Sequence, residues 1–60
     1  MQYEVSFFRN NVYQANLVET EKTEADIVIW FEVNRPNTRI LSIQIATIDS
    51  QKPGKPIIRI

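Results

Sequence analysis

One bounded segment constrains this chain more than any other feature. It begins at Thr23, continues as EADIVIWFEVN, and ends at Arg35-Pro36. Asp26 follows Thr23 by three residues, the spacing of a loose capping box. Glu24 and Asp26 suit the positive end of a helix dipole, and Arg35 suits the negative end. Pro36 disfavours helical geometry at the residue before it, so a helix stops there. Together these signals predict a helix of about three turns, near the average length. The interior argues for the opposite state. Ile27-Val28-Ile29-Trp30-Phe31 is made of residues that favour strands. An all-β alternative makes residues 27–33 a strand, turns at 35–37, and pairs it with 38–45. Propensity is weak evidence beside a cap and a stop, and we take the helix.

Wound as a helix, the segment is apolar nearly all round. At 100° per residue, Ile27, Trp30 and Phe31 share one face, flanked by Thr23 and Asn34. That face is assigned to a sheet. Ala25, Ile29 and Val33 then form an i, i+4, i+8 stripe pointing largely away, a candidate partner interface. The competing explanation is scattered surface apolar residues, or a rotated helix that buries part of this stripe.

The rest of the chain is strand-like. Tyr3, Val5 and Phe7 alternate with Glu4 and Ser6, the period of a half-buried strand. Arg9-Asn10-Asn11 follows, then a second strand from Val12 to Glu19, which is a hairpin signal because Asn tolerates left-handed backbone. A two-residue loop at Asn10-Asn11 pairs Phe7 with Gln14 and Val5 with Asn16, mixing faces. A three-residue loop over 9–11 pairs Phe7 with Tyr13, Val5 with Ala15 and Tyr3 with Leu17, keeping one face apolar. Since a one-residue slip moves every side chain to the wrong face, the three-residue loop is expected, with Asn11 in the left-handed position. Residues 38–48 form a long strand pattern in which Leu41, Ile43 and Ile45 alternate with Ser42 and Gln44. Lys52-Pro53-Gly54-Lys55 reads as a tight turn. Residues 57–60 are either a short last strand beside the third or a tail.

The element order is therefore β-β-α-β(-β). A crossover through the helix returns the third strand parallel to the second, on the far side of the first. The expected fold is α+β, an antiparallel sheet of strand order 2-1-3(-4) with one helix packed on one face.

Composition bears on chemistry. The chain has sixty residues, no Cys and no His. It is one small domain, residues 1–60, with a thin stability margin and no disulfide to support it. A structural zinc site lacks its preferred ligands, and no metal or cofactor is expected. A Ser-His-Asp triad, a Cys-His pair and an imidazole base are all excluded. Carboxylate or lysine chemistry would need a water-excluding pocket that so short a chain has little room to build. The expectation is a protein that binds and is not an enzyme. No secretory leader or membrane span is apparent, and a complete cytoplasmic chain is expected.

Seven basic and seven acidic residues give a net charge of zero, which argues against a dedicated nucleic-acid binder. Their distribution is uneven. Glu19, Glu21, Glu24, Asp26 and Glu32 make the middle acidic against Lys22. Arg35, Arg39, Lys52, Lys55 and Arg59 follow against Asp49. The expected topology brings the hairpin loop and the helix-to-strand loop to one end of the sheet. Arg9, Asn10 and Asn11 then lie near Asn34, Arg35, Asn37 and Arg39, a carboxylate-free cluster suited to a phosphate, a partner's acidic loop or a nucleic-acid backbone. Phe8 on the open sheet face, with Val12, adds a stacking or apolar contact. Each residue also has a local reason to be there, since Asn serves turns and Arg suits a helix C-terminus. An exposed sheet edge, and the PIIRI end blunted by Pro56, offer a further place for a strand from another chain.

Three short segments, Phe8-Arg9-Asn10-Asn11, Trp30-Phe31 with Arg35-Pro36, and Lys52-Pro53-Gly54-Lys55-Pro56, carry a resemblance. The pattern resembles a set of small bacterial proteins, some carried on mobile elements. They share an aromatic-Arg-Asn-Gly hairpin, a helical aromatic-Phe pair followed by Lys/Arg-Pro, and a C-terminal Pro-Gly-x-Pro turn. Asn11 stands where that pattern has Gly. The resemblance supports the helix and implies no activity. The leading expectation is a protein-interaction module that self-associates. The alternative is a nucleic-acid-contacting accessory protein using the Arg/Asn end.

Overall fold

The computed structural model describes residues 1–47 and 56–60. The Lys52-Pro53-Gly54-Lys55 turn lies outside the described residues. Four strands and one helix follow in the order β1 (Gln2–Arg9), β2 (Val12–Glu19), α1 (Glu24–Asn34), β3 (Thr38–Ile45) and β4 (Ile57–Arg59). The class is α+β, as expected.

The helix forms where its boundary signals place it. Thr23 is the N-cap, with extended backbone (φ −82°, ψ 167°). Its Oγ1 accepts from the Asp26 amide at 3.3 Å, while Asp26 Oδ2 accepts from the Thr23 amide at 3.2 Å. Two amide donors that a helix start leaves unpaired are thereby satisfied. At the other end the Arg35 amide donates to Phe31 O at 2.8 Å, and Pro36 prevents a further turn. Ile27 and Phe31 are sealed against the sheet, and Trp30 is half-buried beside them.

The sheet order is β3-β1-β2-β4. β1 sits inside it, antiparallel to both β2 and β3, which places β3 parallel to β2 across the helical crossover. The expected order 2-1-3 holds, but three details of the expected sheet do not.

The first correction concerns β4. It pairs in parallel with β2, on the edge opposite β3, so the sheet is mixed and not purely antiparallel. Leu17 faces Ile57, Val18 faces Ile58, and Glu19 faces Arg59. The physical reason lies in β2. Leu17 and Val18 are consecutive apolar residues that would otherwise occupy an open edge, and with β4 beside them both are buried.

The second correction concerns the hairpin. Its loop has two residues, with Arg9 opposite Val12 and Phe8 opposite Tyr13. Phe7 therefore faces Gln14, Val5 faces Asn16 and Tyr3 faces Val18, the pairing that apolar matching disfavours. Asn10 and Asn11 both have positive φ (53° and 67°), as a two-residue type I′ turn requires. The turn prevails because the first half of β2 lies beyond the cover of the helix. Val12, Tyr13 and Gln14 are all exposed, so Gln14 on the helix-side face is not desolvated.

The core joins Val5, Phe7, Val18, Ile27 and Phe31, with Tyr3, Trp30, Ile40, Ile43, Ile58 and Ile60 packed around it. Phe7 and Phe31 meet at 5.3 Å between ring centroids. Leu17 alternates to the opposite face of the sheet and is still only 3% exposed. β3 carries an irregularity. Ile40 faces Phe7 while Ser42 faces Ser6, so Leu41 is an extra residue bulged out of the ladder. The regular alternation expected of Leu41 with Ile43 is broken there, and Leu41 is exposed.

Candidate functional site

Two surfaces emerge from this framework. The first gathers at the hairpin end of the sheet, on the face away from α1. The register aligns Arg39, Phe8 and Tyr13 in one row across β3, β1 and β2. Tyr13 packs edge-on against Phe8, with ring centroids 5.8 Å apart and planes at 74°. Phe8 is 39% exposed and Tyr13 59%.

Three asparagines border this row. Asn10 and Asn11 form the hairpin turn. Asn37, φ 66°, follows Pro36 and matches the centre of a type II turn, with Pro then a left-handed residue. Phe8, Asn10, Asn11, Asn37 and Arg39 line one open concavity of about 570 Å³. None of the described residues that line it is acidic. Arg39 has no ion pair among the described residues.

Arg9 and Arg35 do not join this group. Arg9 alternates with Phe7 toward the helix side of the sheet, opposite Thr38, and is half-buried. Its Nε and Thr38 Oγ1 are buried without a hydrogen-bond partner among the described residues. The Arg35 guanidinium lies over the Trp30 ring at 5.3 Å from its centroid and donates to Asn34 O at 3.4 Å. Asn34 in turn donates from Nδ2 to Trp30 O at 2.9 Å. Val12 pairs opposite Arg9, so it does not accompany Phe8. Tyr13 takes that place, and sequence reasoning missed it because the expected three-residue loop put Tyr13 opposite Phe7. The consecutive asparagines, each able to hold a left-handed backbone, were the signal for the correct loop.

The second surface is the outer side of α1. Ile29 is 56% exposed and Val33 74%, and Ala25 on the same stripe is also exposed. Ile29 and Val33 border a shallow cleft of about 260 Å³, whose other walls include Trp30 and Ile60. Lys22, Glu24 and Glu32 are exposed on this helix or just before it, and Asp26 is half-exposed.

No set of His, Cys, Asp and Glu groups that would hold a metal ion occurs among the described residues. No helix among them is long and apolar enough to cross a membrane. No family model, curated protein or solved structure matches the chain.

Proposed function

We propose that this chain is a non-enzymatic protein-interaction module whose partner is a second copy of itself, met through the outer face of α1. One observation carries the reading. A helix of eleven residues seals Ile27 and Phe31 against the sheet, yet leaves Ile29 and Val33 largely in water on its far side. An i, i+4 apolar pair is self-complementary across a two-fold axis, because each ridge can enter the groove of its copy. Removing such side chains from water stabilises the pair at roughly 25 cal/mol per Å² of apolar area. A chain without Cys or His has neither disulfides nor the usual zinc ligands to support a small core. The lack of His and Cys also favours binding over catalysis. The same reading takes the site of action to be the cytoplasm.

Sedimentation velocity at ~100 μM, where weak association is populated, tests it. The expected result is a dimer for the native chain and a monomer of unchanged circular dichroism for Ile29→Asp. A native chain that sediments as a monomer sinks the reading, and so does an Ile29→Asp variant that still dimerises.

A further inference from the structure

The hairpin-end concavity lies on the face opposite the outer helix surface, and its chemistry differs. We propose that it binds an unpaired nucleotide, with the base against Phe8 and the phosphate on Arg39. A single-stranded nucleic acid and a free nucleotide both carry that chemistry.

The lining of the concavity suits such a ligand. Its volume, about 570 Å³, lies within the range of small-ligand sites. Phe8 supplies a partly exposed ring braced by Tyr13 at 5.8 Å. Bases stack on such rings whatever their sequence, since every base has a π-face. Arg39 stands beside Phe8 in the same cross-strand row and is exposed, with no carboxylate among the described lining residues. A guanidinium pairs with phosphate through two parallel donors and also stacks on aromatic and base planes.

Asn10, Asn11 and Asn37 add amides that both donate and accept. A base edge needs that mixture, and a simple anion does not. Their backbones explain why residues tolerant of positive φ occupy these positions. The turn itself favours Asn at position 10, but it does not explain Asn in place of Gly at positions 11 and 37, and both of these line the same concavity.

An acidic peptide is the weaker fit. Its carboxylates would engage Arg39 and leave the rings and amides unused. Duplex nucleic acid is also disfavoured, because its bases are already stacked and cannot reach Phe8. One exposed arginine at the site implies a shallow salt dependence, with a slope near −0.7 for a single neutralised phosphate on a single strand.

The test is fluorescence anisotropy with labelled single strands of about eight nucleotides, DNA and RNA, at ~50 mM salt, against a duplex of the same sequence. A nucleoside monophosphate serves as competitor and separates the two sources. Binding of the strand or the mononucleotide is expected to fall about tenfold in Phe8→Ala, the scale of one lost stacking contact. Arg39→Gln is expected to flatten the salt slope. Asn37→Gly keeps the turn and removes the amide, so weaker binding by this folded variant supports a ligand contact.

Ile29→Asp leaves binding unchanged if the site is distinct from the proposed dimer surface. The proposal is overturned if neither strand nor mononucleotide binds, or if the duplex binds equally well. It is also overturned if Phe8→Ala and Arg39→Gln, both folded by circular dichroism, bind as the native chain does. An acidic peptide that binds through Arg39 but not Phe8 would overturn it as well.

Discussion

Asn11 shows how a single residue sets the register of half the molecule. With φ 67° beside Asn10 at 53°, it holds a left-handed backbone that most side chains resist. Asn-Gly is the preferred pair for this turn. Asn11→Gly is therefore expected to raise stability by up to about 1 kcal/mol, and Asn11→Ala to lower it by roughly 1–2 kcal/mol. Urea midpoints at unchanged slope would report both changes. A stabilising Asn11→Ala would mean the turn has another geometry. The same two asparagines show why the register is hard to read from the chain. Apolar matching of Phe7 with Tyr13 was the stronger visible pattern, but it presumes that the helix covers all of β2. Exposed Gln14 shows that it does not.

At the scale of elements, α1 was legible because its boundaries are chemical. Thr23, Asp26 and Pro36 act locally and need no knowledge of the rest of the fold. Thr23→Ala is expected to cost about 1 kcal/mol, with Thr23→Ser restoring most of it. The two faces of α1 should respond very differently to truncation. Phe31→Ala removes a sealed ring in contact with Phe7 and Trp30, and is expected to cost about 3–5 kcal/mol, enough to unfold so small a domain. Val33→Ala is expected to change monomer stability by less than about 0.5 kcal/mol. Thermal unfolding of the two variants at low concentration checks the contrast. β4 was less legible. A short apolar run such as Ile57-Ile58 has no feature that names its neighbour. Only the apolar pair Leu17 and Val18, which would lie on an open edge without β4 and is buried beside it, decides between the two edges of the sheet.

At the scale of the whole molecule, the two candidate surfaces differ in charge. The outer side of α1 carries Asp26 and Glu32 against Lys22, while the concavity on the opposite sheet face carries Arg39. The two proposed interactions should therefore respond to salt in opposite directions. Bringing two acidic helix faces together costs repulsion, which salt screens over a Debye length of about 10 Å at 0.1 M. Self-association is expected to strengthen as salt rises, and nucleotide binding to weaken. Sedimentation and anisotropy at low and high salt would measure both. If the two move together, one of the surfaces is misassigned.

The bulge at Leu41 also bears on which insertions and deletions the chain can survive. Removing one residue from a strand normally turns everything beyond it to the wrong face. Here Ile40 already faces Phe7 and Ser42 already faces Ser6, so excising Leu41 would leave a continuous, correctly alternating ladder. In a single-residue deletion scan of β3, position 41 is expected to be the one that yields folded protein. The shortened strand would be flatter and regular along an open edge, and its protein should form fibrils faster than the native chain in a thioflavin assay. On this account the extra residue protects an exposed strand from its own copies.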